Sequence, residues 1–215
     1  MNSSIAETFK IIFAGNHQSG KTLLLNRICS LSESNTINFD STLPTTFPPL
    51  DSPQPTIATD LTCKTFTING KCYKVQFWDT AGQEAYHSIT ASYFRSSQGV
   101  FLVFDLTDKE SFESLDYWLK MIAEHSNVIP YVVLIANKYD KPNEEHKTTV
   151  EAIAKYCEES EYDLHYFMTS ALTGENVENA LRFMIESLVS RKRTTPQEEQ
   201  VDEPVPNEDN HKLCC

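Results

Sequence analysis

Eight residues constrain this chain more than any other feature: Gly15-Asn16-His17-Gln18-Ser19-Gly20-Lys21-Thr22. Before them, Phe9 to Ala14 reads as a buried strand. After them, Leu23-Leu24-Leu25 with Ile28 and Leu31 gives the apolar face of a helix. A strand, a glycine-spaced loop and a helix in that order curl successive backbone N–H groups around one point, with the positive end of the helix behind them. That arrangement suits a phosphate. Gly15, Gln18, Ser19 and Gly20 are expected to wrap it, Lys21 to bridge the β- and γ-phosphates, and the Thr22 hydroxyl to coordinate Mg²⁺.

Short apolar strands and helical patterns alternate along the rest of the chain. Residues 58–68 and 71–78 read as two strands joined by Asn69-Gly70, a strong hairpin turn. The runs Gly99–Phe104 and Tyr131–Ala136 are continuously apolar, as in central strands covered on both faces. Phe112, Leu115, Trp118, Leu119 and Ile122 recur at helical spacing, as do Val150, Ile153, Ala154 and Cys157. A strand at 164–168 follows, then a last helix through Val177, Leu181, Met184 and Leu188. The pattern predicts an α/β fold: a doubly wound, mostly parallel six-stranded sheet in which the hairpin supplies one antiparallel edge strand. Residues 32–55 hold five prolines among Ser, Thr and Asp and show no period, so they read as a long functional or disordered loop.

Two further constellations follow strands. Asp79-Thr80-Ala81-Gly82-Gln83-Glu84 comes directly after Val75–Trp78. Asp79 can hold Mg²⁺ through a water, Gly82 lets its N–H approach a γ-phosphate without a Cβ clash, and Gln83 can orient an attacking water. Asn137-Lys138-Tyr139-Asp140 comes directly after the strand ending at Ala136. The Asp140 carboxylate can accept both N1–H and the exocyclic amine of guanine, a donor pair that adenine lacks. Asn137 can reach the other edge of the purine, and the Lys138 stem can cover its face.

With these three motifs in this order, residues 8 to 190 resemble a small GTPase of the Ras superfamily, and within it the Rab family. Lys74–Trp78, Ala85–Thr90, Tyr93-Phe94-Arg95 and Leu102–Thr107 stand where Rab proteins carry their hallmark segments. The resemblance implies a P-loop small GTPase fold that binds GTP and GDP with Mg²⁺. Ser170-Ala171-Leu172 resembles the third base-contacting loop, in which the Ala171 N–H would meet the guanine oxygen. Leu172 replaces the usual lysine and can pack on the ring. Pro55-Thr56-Ile57-Ala58-Thr59-Asp60 resembles the switch I segment, so Thr56 would ligate Mg²⁺ and sense the γ-phosphate. Thirty-five positions separate Lys21 from Thr56, longer than is usual in the family. The Pro-rich stretch at about 32–55 is therefore an insertion in switch I, and it leaves open which of Phe39 and Phe47, if either, stacks on guanine. The active loops show no arginine that could complete the site in cis, which implies an activating protein. An exchange factor, escort and dissociation-inhibitor proteins, and effectors complete the partners. The resemblance makes the chain a switch for vesicle trafficking; a guanine-nucleotide-binding module with little hydrolysis and a P-loop transferase are the rival readings.

Composition sets the remaining bounds. Of 215 residues, 30 are acidic and 18 basic, a formal charge of −12 that repels phosphodiester backbones and argues against a nucleic-acid binder. Apolar Val128–Ala136, interrupted by Pro130, is far too short to span a bilayer, and the first residues show no secretion or myristoylation signal. The domain is expected to occupy residues 1–193. Residues 194–215, rich in Pro, Glu, Asp and Asn, read as a solvated, disordered tail. They hold Cys214-Cys215, which resembles the Rab prenylation signal and implies attachment to the cytoplasmic face of an intracellular membrane, in exchange with the cytosol.

Overall fold

Strand β1 (Ile5–Ala14) lies in the middle of the sheet in the computed structural model, which describes residues 5–32, 36–41, 50, 60–79 and 93–194. Pleating sends alternate side chains to opposite faces. Phe9, Ile11 and Phe13 enter one apolar layer, together with Leu24, Leu25 and Ile28 of α1 (Lys21–Ser30). Ile12 and Ala14 enter the other.

Among the described residues seven strands form the sheet, in the order β2 (Thr36–Asn38), β3 (Asp60–Ile68), β4 (Lys71–Asp79), β1, β5 (Gly99–Asp105), β6 (Tyr131–Asn137), β7 (His165–Met168). This corrects the expected six strands and single antiparallel edge strand. β3 is antiparallel to β4 as the hairpin predicts, but β2 pairs with β3 in parallel and takes the edge. The missed strand lies inside the segment read as patternless. It is three residues long, and only Ile37 between exposed Thr36 and Asn38 is buried, too little to make a period. Tertiary partners hold it. The Phe39 N–H donates to Thr67 O at 2.9 Å, and the Asp40 carboxylate accepts from the Asn69 and Gly70 N–H groups at 2.7 and 2.9 Å. Asn69 and Gly70 both have positive φ, 51° and 70°, as the tightest hairpin turn requires.

Helices cover both faces. α1 and α5 (Val177–Thr194, through Leu181, Met184 and Leu188) pack on the Phe9 layer. α3 (Leu115–His125) and α4 (Val150–Glu159) pack on the other, through Trp118, Leu119, Ile122 and Ile153. The helical pattern from Phe112 to Ile122 is in fact two pieces, α2 (Lys109–Glu113) and α3, divided at Ser114. The parallel neighbours of β1 are β4 on one side and β5 on the other, so strand order reverses there. The crevice outside the C-terminal ends of these strands is where open α/β sheets take ligands.

Candidate functional site

The eight-residue loop joins β1 to α1 at that reversal. Gly15 has φ 129°, and a Cβ there would lie 2.0 Å from the Val103 carbonyl oxygen of β5. Gly20 has φ 97°, and a Cβ there would lie 2.2 Å from Asn137 Nδ2. Both glycines are therefore required by protein neighbours before any phosphate is considered. Gln18 also has positive φ, 61°, a strained conformation for a residue with a side chain.

Side chains aim polar atoms at the same place. Lys21 is 5% exposed, and its Nζ donates to the Gly15 and Asn16 carbonyls at 2.8 and 2.7 Å. The Thr22 hydroxyl donates to Asp79 Oδ2, at the end of β4, at 2.6 Å. Ser19 Oγ is buried without a hydrogen-bond partner among the described residues. A buried hydroxyl left unpaired is costly, so the loop is built to satisfy it with something else. Thr22 and Asp79 oxygens side by side are hard donors of the kind Mg²⁺ prefers, and they fit that ion.

Asn137, the last residue of β6, links this loop to the next. Its Nδ2 donates to the Ser19 carbonyl at 2.9 Å, and its Oδ1 accepts from the Ala171 N–H at 3.1 Å. Lys138 has φ 65°, and its Nζ pairs with Asp105 Oδ2 at 2.6 Å. Asp140 Oδ1 accepts from Ser170 Oγ at 2.6 Å. The loop after β7 carries Ser170 and Ala171 buried and Leu172 exposed. Thus Gly15, Gln18, Ser19, Gly20, Lys21, Thr22, Asp79, Asn137, Lys138, Asp140, Ser170, Ala171 and Leu172 lie on the loops and the adjoining strand and helix ends at one end of the sheet. Thr56, Gly82, Gln83, Cys214 and Cys215 lie outside the described residues. Asp60, four positions past Thr56, is paired in register with Asp79.

One open alternative closes. Phe39 is buried, stacks on Phe66 at 5.5 Å and carries the Arg182 guanidinium 4.5 Å over its ring. It belongs to the core and has no face to offer a base. Phe47 lies outside the described residues.

The sequence reading missed Arg27, which is 0% exposed. Its Nε donates to Ala171 O at 3.0 Å and its Nη2 to Leu172 O, fixing that loop from α1. Its signal was available: Arg27 stands at helical spacing among Leu24, Ile28 and Leu31, on an apolar face where a charge needs a purpose. Asn16 was missed as well. Its side chain accepts from Trp118 Nε1 at 2.8 Å and donates to Ser114 Oγ at 3.0 Å, which fastens the loop to α3.

The sequence pattern of the Ras family matches residues 10–190, and the chain belongs to that family. Ras-related protein Rab-10 of Diplobatis ommata is 35% identical over 197 residues, covering 90% of this chain and 88% of that protein. Ras-related protein Rab-30 of Homo sapiens is 35% identical over 210 residues, covering 96% and 94%. The chain is a Rab-like small GTPase, an enzyme that hydrolyses GTP.

Proposed function

We propose that this GTPase is a membrane-attached switch that recruits effectors for vesicle traffic in its GTP form and releases them as GDP forms. The observation that supports the reading best is the Asn137 carboxamide, which ties the phosphate loop (Ser19 O) to the base loop (Ala171 N). A site braced that way holds the two ends of one guanine nucleotide in fixed relation. Asp140 selects guanine, with Lys138, Ser170, Ala171 and Leu172 around the base; the Ala171 N–H, held here by Asn137 Oδ1, turns to the guanine oxygen when the base enters. Lys21 exchanges the Gly15 and Asn16 carbonyls for phosphate oxygens, and Gly15, Gln18, Ser19 and Gly20 close around them. Mg²⁺, when bound, supplies positive charge to the phosphate oxygens, and Thr22, Thr56 and Asp79 are the residues that would hold it.

In this reading Gln83 orients a water for in-line attack on the γ-phosphoryl, and Lys21 and loop N–H groups, Gly82 among them, stabilise the charge that develops. An exchange factor reloads GTP, an activating protein speeds hydrolysis, and escort and dissociation-inhibitor proteins carry the lipidated chain. The domain spans residues 1–193 and residues 194–215 tether it, with prenyl groups on Cys214 and Cys215 reaching the cytoplasmic face of an intracellular membrane. Single-turnover hydrolysis of bound GTP tests the chemistry. Gln83→Leu is expected to slow it by at least about ten-fold with nucleotide still bound. An unchanged rate would remove Gln83 from the mechanism.

A further inference from the structure

At the opposite end of the sheet, where β5 and β6 begin, the turns Ser96–Gln98 and Asn127–Pro130 and the last turns of α5 enclose an open groove of about 380 Å³. Phe9 and Leu188 lie in it, and Val128 and Ile129 line it while 73% and 46% exposed. Among the described residues no carboxylate lines it; its charged residue is Arg191. Apolar surface left open in this way marks a binding surface.

We propose that this groove seats the chain's own residues 199–206, Glu199-Gln200-Val201-Asp202-Glu203-Pro204-Val205-Pro206, with Val201 and Val205 against Val128, Ile129 and Leu188. Reach favours this occupant. α5 ends at Thr194, one turn past Arg191, and Pro196 prevents the helix from continuing. Val201 follows Thr194 by seven residues, a span of up to roughly 23 Å, ample to double back along the last turns of α5. Sequence pattern favours it too. Between Thr195 and Asn210 the apolar residues other than proline are Val201 and Val205. Pro204 and Pro206 hold the residues before them extended, and in extended backbone positions four apart face the same side. Charge favours it last. Glu198, Glu199, Asp202 and Glu203 are repelled by a domain that is itself net acidic, whereas the charged residue among the described lining of this groove is Arg191. Seated there, the segment leaves residues 207–213 between the groove and Cys214, so the domain would ride close to any lipid on that cysteine. That consequence rests on the proposed lipidation; the docking does not.

The test uses the full-length, unlipidated, GDP-loaded chain, with each side of the contact read from the other. Val128→Asp with Ile129→Asp is expected to make cleavage after Glu199 by a Glu-specific protease on the order of ten-fold faster, with bound GDP unchanged. Val201→Asp with Val205→Asp is expected to speed amide hydrogen exchange at 127–129 to a similar degree. Unchanged cleavage and exchange in these two variants overturn the proposal. So does protection at 127–129 that rises with protein concentration, which would assign the groove to a second copy of the chain.

Discussion

Asp140 is exposed, and one of its carboxylate oxygens is already held by Ser170 Oγ at 2.6 Å. That bond orients the carboxylate and leaves acceptor capacity for a base. Asp140→Asn exchanges part of that capacity for donors and should turn the preference from GDP to the xanthine nucleotide, by roughly two orders of magnitude in relative affinity. Competition binding measures the ratio; a retained preference for GDP would mean that Asp140 does not read the base. Arg27 acts one layer deeper. Arg27→Met keeps the apolar bulk but leaves the Ala171 and Leu172 carbonyls without their donor, a cost of about 1–3 kcal/mol for the buried Ala171 acceptor and less for that of exposed Leu172, which water can reach. Urea unfolding should show the loss, and Arg27→Lys, which keeps the charge, should recover part of it. Equal midpoints for Arg27→Met and the unmodified chain would show that those carbonyls find other donors.

Among the elements, β2 and the turn after it bear on the long insertion. Ile37 and Phe39 are buried, and Arg182 of α5 donates to Phe39 O at 2.9 Å while pairing with Glu178 at 3.2 Å. The first residues of the insertion are thus sheet and core. From the level of Thr67 back to Asp60 the chain must climb seven residues of strand, roughly 23 Å. Deleting residues 43–47 leaves ample chain for that climb and should keep the fold, since loop length alters stability only slowly. Extending the deletion back to residue 36 removes Ile37 and Phe39 and should cost several kcal/mol, roughly 2–5 for each large buried side chain. Thermal unfolding of the two deletions decides the matter, and equal stability would show that β2 contributes nothing.

For the whole molecule, charge and lipid answer the same question. Arg191-Lys192-Arg193 is followed by six acidic residues between Glu198 and Asp209, a sequence that an anionic leaflet does not attract. One isoprenoid gives marginal, reversible binding, and two supply what a basic patch otherwise would. Cys214→Ser with Cys215→Ser should leave GDP binding unchanged and move the protein from the membrane pellet to the supernatant. Continued sedimentation with membranes would assign attachment to another part of the chain.

The glycine-spaced loop between β1 and α1, the hairpin at Asn69-Gly70, the buried strands β5 and β6 and the Asn137–Asp140 string after β6 are all legible in the sequence, because each depends on spacing along the chain. Periodicity reports burial within one element, and a turn dipeptide reports its own φ angles. What the sequence could not express was agreement between distant residues. Gly15 has no room for a Cβ because one would lie 2.0 Å from the Val103 carbonyl oxygen, and Gly20 because one would lie 2.2 Å from Asn137 Nδ2 at the end of β6. Phe39 was a candidate for the base until Phe66 and Arg182 enclosed it. β2 exists because β3 gives its backbone partners and the Asp40 carboxylate just after it holds the Asn69-Gly70 turn, not because three residues prefer to be a strand. Local order follows from local spacing; the joining of the Gly15–Thr22 loop to the Ser170–Leu172 loop through Asn137, and of α1 to the same loop through Arg27, is decided only when the fold brings residues more than one hundred positions apart within hydrogen-bond reach.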